Sequence, residues 1–237
     1  QNAIWNNGQV NADLPINVTL GNLNLCTGDT ARIPVSILNA YNLSAISLAI
    51  NYNPVNSQFL GIRDLHPSLA SLIASTNSFG NLPQIRASWA EVTPVNINGV
   101  AFVVELVGTG NDNLQFDLVN TGNCELTDPI GTPFTNINYQ NGATNVLPNS
   151  ASTVDASICS GQSYTFGDQV LNSAGTYSRT VVAANGCDSV ITLTLSVRPN
   201  SSAAISASIC SGQSYTFGSQ VLNSAGTYSR TVVAANG

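Results

Sequence analysis

The sequence predicts an all-β protein: a jelly-roll-like sandwich followed by small tandem β-modules. Three observations carry this reading. Short runs of alternating apolar and polar residues recur along the chain, punctuated by Asn-Pro, Asn-Gly and Gly-rich turns. A stretch of 31 residues, 156–186, returns at 207–237 with one difference, Asp168 against Ser219. Only 8% of the 237 residues are charged, where a soluble domain carries about 25%.

The first domain is assigned to residues 1–147. Ile33, Val35 and Ile37 alternate in one strand, 32–38, and Ile46, Leu48, Ile50 and Tyr52 in the next, 45–52. Further strands are expected at 84–90, 100–107, 114–119 and 134–139. Asn53-Pro54, Asn98-Gly99 and Asn141-Gly142 supply turns. Many short strands at this spacing argue for a sandwich or jelly roll. Leu65, Leu69, Leu72 and Ile73 recur at helical spacing behind Pro67, so 67–76 is predicted as one short helix.

The repeats follow at 154–198 and 205–237, the second one truncated. Each reads as a small antiparallel sandwich of immunoglobulin-like size. Strands are expected at 175–182 and 189–197, joined by Asn185-Gly186, with shorter ones at 163–166 and 169–171. Residues 198–202 read as a linker. Near-identity of the copies points to a tandem array. In the first copy Asn185-Gly186 leads into Cys187, whereas the second copy stops at Gly237. The expected bridge within a module is therefore Cys159–Cys187, with Cys210 unpaired by truncation. Cys26 and Cys124 remain and are paired with each other. Cysteine usage of this kind suits an oxidising compartment. The chain begins at Gln1 and holds no Met, which suits removal of a signal peptide.

Composition excludes several functions. Six scattered Arg residues and no Lys make neither a nucleic-acid stripe nor a polybasic membrane patch. No apolar run approaches the roughly 20 residues of a membrane helix. With one histidine and no CxxC pair, a metal centre is not expected. His66, the sole histidine, reads as a residue at a helix start. Glu91 and Glu105 carry no mark of a hydrolase pair, and no GxSxG elbow exists. Residues 108–113 read as an ordinary turn and not as a calcium loop. Trp89 alternates with Ile85 and Ala87 and belongs to the core. Trp5, in a polar segment, is the candidate for an exposed contact. No catalytic residue, metal or cofactor is assigned.

Three segments carry a resemblance: Gly28-Asp-Thr-Ala-Arg-Ile-Pro-Val, then Leu43-Ser-Ala-Ile-Ser-Leu-Ala-Ile-Asn-Tyr-Asn-Pro, then Phe59-Leu-Gly-Ile. Together they resemble the opening strands of a cohesin-type domain, over roughly residues 10–147. Asn123-Cys-Glu-Leu-Thr-Asp resembles a late segment of cohesin-like domains of Bacteroidota. The repeats, with their Cys-x-Gly-x-Ser-Tyr-x-Phe start, resemble those of large surface proteins of that phylum exported by the type IX system. The resemblance implies Gln1 as a mature terminus. It also implies O-glycosylation at Thr30 and Ser189, each in an Asp-Ser/Thr-apolar triplet. The expected function is a non-enzymatic, secreted, cell-surface structural or adhesive protein. It would belong to a homo-oligomeric filament or appendage that contacts surface glycans or a protein receptor. The alternative is a cohesin-like binding module for a dockerin-like partner or a polysaccharide.

Overall fold

The computed structural model describes residues 4–6, 9–11, 14–79 and 82–233. They are almost wholly β, in two compact units. The first unit holds residues 1–150 together with Val182–Ser189, and the second holds the rest.

Near the start of the first unit, β1 (Ile4–Asn6) pairs with β2 (Gln9–Asn11) and sets Trp5 opposite Val10. The exposed role expected of the Trp5 side chain lies outside the described residues. β3 (Ile16–Leu20) and β4 (Asn22–Cys26) follow. Two long strands then organise everything else, β5 (Thr30–Asn51) and β8 (Leu82–Gly108). They pair antiparallel along nearly their whole length, from Thr30↔Val107 to Asn51↔Gln84. The strands expected at 32–38 and 45–52 are thus one strand, as are those at 84–90 and 100–107. Asn98-Gly99 lies inside β8 instead of forming a turn.

Both strands bend at a shared corner. Asn39 (φ 62°) and Asn42 (φ 59°) take the left-handed conformation that Asn tolerates better than most residues. The pairing register shifts around them, between Ile37 and Leu43. Their backbone N–H groups leave the ladder and donate to side chains across the corner. Asn39 N donates to Asn98 Oδ1 (3.3 Å) and Asn42 N to Asn96 Oδ1 (2.9 Å).

Before the corner, β5 is flanked by β3 and by β8, whose other neighbour is β6 (Ser57–Arg63). Beyond the corner, β8 is flanked by β7 (Ile73–Phe79), and β5 by β9 (Asp112–Phe116) and β10 (Glu125–Thr127). β11 (Ile137–Gln140) adds parallel to β3, and β12 (Gly142–Leu147) parallel to β4. Ile33, Ile37, Leu48, Ile85, Phe102 and Leu106, each 1% exposed or less, come from both halves and share one core. Trp89 belongs to it, as expected.

The expected helix at 67–76 is not formed. Only a single 3-10 turn, Pro67–Leu69, exists there, and 73–79 is strand β7. Leu69 and Leu72 are buried, as their spacing suggested, but Ile73 is 69% exposed. Seven β7 residues find partners on the open edge of β8, from Ile73↔Ser88 to Phe79↔Leu82. That ladder outweighs a helix too short to be stable by itself.

In the second unit β13 (Ser150–Cys159), β17 (Asp188–Arg198) and β16 (Gly175–Val182) make a three-stranded sheet with β17 in the middle. β14 (Tyr164–Phe166) and β15 (Gln169–Leu171) form a hairpin. Its core is five residues: Ile158, Phe166, Leu171, Leu193 and Leu195. The second copy repeats the hairpin as β18 (Tyr215–Phe217) and β19 (Gln220–Leu222).

The cysteine pairing departs from expectation. The disulfide joins Cys26 to Cys187. Neither Cys26–Cys124 nor Cys159–Cys187 is formed. In the module, Ser160 N donates to Arg198 O, so Cys159 lies beside the far end of β17 while Cys187 lies just before its start. Eleven strand residues separate the two, about 35 Å, whereas a bridge needs Cα atoms within about 7 Å. Cys124 sits over β5, its Sγ 3.4 Å from Ala49 O, and burial pushes its thiol pKa up. Cys26 instead pairs in register with Leu147, against which Cys187 is buried.

Candidate binding face

The outward side of the sheet beyond the corner is built from small side chains. In β5 the core takes Ile46, Leu48 and Ile50, which leaves Ala45, Ser47, Ala49 and Asn51 on the other side. In β8 the core takes Ile85, Ala87 and Trp89, leaving Gln84, Arg86, Ser88 and Ala90. Register aligns these into rows across four strands. Glu125, Ser47, Ser88 and Ile73 form one row. Ala49, Arg86 and Ser75 form another. A shallow depression runs over this face, lined by Ala45, Ser47, Ser71, Ile73, Ser88 and Glu125. Ile73 is its exposed apolar residue.

One end of the face is closed by the loop between β9 and β10. Asp117 is 4% exposed and anchors it. Its Oδ2 accepts from Gln84 Nε2 (2.7 Å), Asn120 Nδ2 (2.8 Å) and Asn123 Nδ2 (2.6 Å). Gln84 also donates to Asn51 Oδ1 (2.9 Å), and Arg86 donates to Asn123 Oδ1 (2.5 Å) and Gln84 Oε1 (3.2 Å). Burial alone pushes the Asp117 pKa up. The hydrogen bonds from Asn120, Asn123 and Gln84 outweigh burial and hold it at about 2. Ser47 Oγ fastens the other side of the loop by donating to Gly122 O (3.0 Å). The loop so fixed holds Leu118 and Val119 in solvent, 57% and 91% exposed.

The remaining sequence candidates fall elsewhere. His66 begins the 3-10 turn, its Nδ1 accepting from Ser68 N (3.2 Å). Glu105 is buried between Arg32 and Arg63. The Arg63 hydrogen bond leads in holding its carboxylate below the usual range. Glu91 accepts from Ser71 Oγ (2.7 Å). Within 108–113, Asp112 opens β9 and both its carboxylate oxygens accept from Asn53 N (3.1 and 3.0 Å). Thr30 is exposed at the start of β5, and Ser189 is half-buried in β17. The face and the Asp117 network were missed in the sequence. The available signal was weak: alternation of Ala and Ser opposite the apolar residues of two strands.

No family model matches the chain, and no curated protein does. Solved structures do. The chain is similar to a non-cellulosomal cohesin from the hyperthermophilic archaeon Archaeoglobus fulgidus, with 19% identity, TM-score 0.47, and 56% of this chain and 92% of that one covered. It is similar to a chain of a type I cohesin–dockerin complex from Clostridium thermocellum, with 16% identity, TM-score 0.47 and coverages of 56% and 100%. A cohesin from Clostridium acetobutylicum gives 17% identity, TM-score 0.46 and coverages of 56% and 92%.

Proposed function

We propose that the first domain is a non-catalytic module that binds a protein partner of dockerin type through the β10–β5–β8–β7 face. The β-modules behind it belong to the same extracellular surface protein. The observation that carries this is the Asp117 network. It spends several buried hydrogen bonds on holding two apolar side chains, Leu118 and Val119, out in water beside a flat face. A network that rigidifies an exposed apolar tip lowers the ordering cost of binding. A disulfide and a surface wetted by Asn, Ser and Thr suit an oxidising exterior.

The test is titration calorimetry of the chain against a panel of purified type I dockerin modules, with a glycan array in parallel. Binding to a dockerin that is lost in Ser88→Arg supports the proposal. Dockerin binding indifferent to Ser88→Arg, or glycan retention with no dockerin bound, overturns it. The adhesive-filament reading rests on the near-identical repeats. Electron microscopy distinguishes it, since rings or fibres of the chain alone would favour it.

A further inference from the structure

The cysteine turn that holds Cys187 recurs in each repeat module. At the first site, Cys26-Thr-Gly-Asp29 closes with Asp29 N donating to Cys26 O (3.0 Å) and Cys26 N donating back to Asp29 Oδ2 (3.2 Å). In the module, Cys159-Ser-Gly-Gln162 closes with Gln162 N donating to Cys159 O (3.0 Å) and Cys159 N donating to Gln162 Oε1 (2.9 Å). Gly28 and Gly161 have φ of 90° and 88°.

The likeness extends to the chain that lies beside each turn. At the first site the neighbour is Leu147-Pro-Asn149. Thr27 N donates to Leu147 O (3.0 Å), and Asn149 Nδ2 donates to Thr27 O (3.2 Å). In the module the neighbour is Arg198-Pro-Asn200. Ser160 N donates to Arg198 O (2.9 Å), and Asn200 Nδ2 donates to Ser160 O (3.2 Å). A Cys-x-Gly turn, a Pro-Asn segment and two reciprocal hydrogen bonds make the same platform in each place.

The first platform shows what such a site receives. The hairpin tip Asn185-Gly-Cys187 sits on it. Asn185 Nδ2 donates to Pro148 O (3.0 Å), Cys187 N donates to Asn185 Oδ1 (3.1 Å), and Cys187, 1% exposed, is bonded to Cys26. The second copy repeats the residues leading to that tip: Arg230-Thr-Val-Val-Ala-Ala-Asn-Gly237 matches Arg179-Thr-Val-Val-Ala-Ala-Asn-Gly186.

We propose that Cys159, with Arg198-Pro-Asn200, is the covalent acceptor for the Asn-Gly-Cys hairpin tip of the module that follows. Disulfides then run from each module to the next, and none closes within a module. Cys210 has the same turn, with Gln213 N donating to Cys210 O (3.0 Å) and Gly212 at φ 84°, and is the acceptor one step further on. The bond forms by thiol–disulfide exchange with an external disulfide. Two thiols give up two protons and two electrons to one R–S–S–R, which leaves as two RSH.

The test uses the full chain extended past Gly237 by the first copy's own continuation, Cys-Asp-Ser-Val-Ile-Thr-Leu-Thr-Leu-Ser-Val-Arg. The chain is folded with oxidised glutathione as the disulfide and digested without reduction, and the linked peptides are read by mass spectrometry. The expected links are Cys26 to Cys187 and Cys159 to the added cysteine. In Cys159→Ser of the extended chain, the added cysteine becomes alkylatable while Cys26–Cys187 persists. A Cys159–Cys187 link overturns the proposal. So does a link from the added cysteine to Cys210, or an added cysteine that stays a thiol in a chain that has formed Cys26–Cys187.

Discussion

The first domain and the repeat module solve the same problem with different means. Among the described residues, the first domain joins 26 buried apolar residues into one core, most of them from both halves of β5 and β8. The module has five such residues. Most of its β16 side chains are exposed, and its central strand β17 buries only Leu193 and Leu195 fully. A core of that size contributes too little to offset the ordering of some fifty residues. The difference teaches where covalent bonds matter. The disulfide that fixes the hairpin tip between β16 and β17 ends on β4, and the tip belongs to the first unit.

The largest expected effect comes from cutting that bond. Cys26–Cys187 closes a span of 161 residues, worth about 5 kcal/mol in the chain-entropy model. The loss falls where the reserve is smallest. In Cys187→Ser, hydrogen-exchange protection should disappear from β14 to β17 and persist in β3, β5 and β8. Equal loss in both regions would break the comparison.

Leu193→Ala and Leu48→Ala sharpen it. Both side chains are 1% exposed or less, and each truncation costs about 3 kcal/mol. In the module that removes one of five core residues, and its strands should lose protection altogether. In the first domain the same cost should lower the melting temperature by several degrees and leave the fold intact. Differential scanning calorimetry with exchange mapping separates these outcomes.

Asp117→Asn tests the loop that frames the proposed binding face. Replacing the charged acceptor of three side-chain donors should cost about 2 kcal/mol. The pH dependence has a definite sign. Asp117 titrates at about 2 in the fold against an ordinary 3.8, so its contribution is complete above the ordinary value and fades as pH falls toward 2. The variant should lose less stability than the parent between pH 4 and 2, read by urea denaturation at each pH.

Much of the first domain was legible because alternation is a local signal. Ile33, Val35, Ile37, Ile46, Leu48 and Ile50 are buried as alternation implied, whereas Tyr52 is half-buried just past the end of β5. What alternation cannot show is continuity. Asn39 and Asn42 look like turn residues, and in the fold they bend one strand without ending it. The segment 67–76 offered apolar residues at helical spacing, and the open edge of β8 decided otherwise. The disulfide was misread because proximity within a module was inferred from the repeat. The length of β17 carries Cys187 to the opposite end from Cys159. The candidate face was silent, since Ala and Ser in a row carry no pattern until register brings four strands together.

The smallest effect belongs to a detail that both copies share. Arg179 lies over the Phe166 ring at 5.2 Å, and Arg230 over Phe217 at the same distance. Each guanidinium also packs on the glycine after the ring. A Cβ on Gly167 would come within 2.8 Å of Arg179 Nη1, and Gly167 has a φ of 63°. The glycine therefore both makes the turn and leaves room for the cation. In the first copy, Phe166 is also a core residue, so the stacked Arg179 covers one wall of a five-residue core. Arg179→Ala should cost about 0.5–1 kcal/mol, the range for an exposed cation–π pair. Among the described residues the second copy forms the β18–β19 hairpin and its Phe217 is half-buried, so Arg230→Ala should leave global stability unchanged and show only as faster exchange in that hairpin. Equal global effects from the two substitutions would mean that the second copy has a packed core of its own, and the contrast between large and small cores would have to be redrawn.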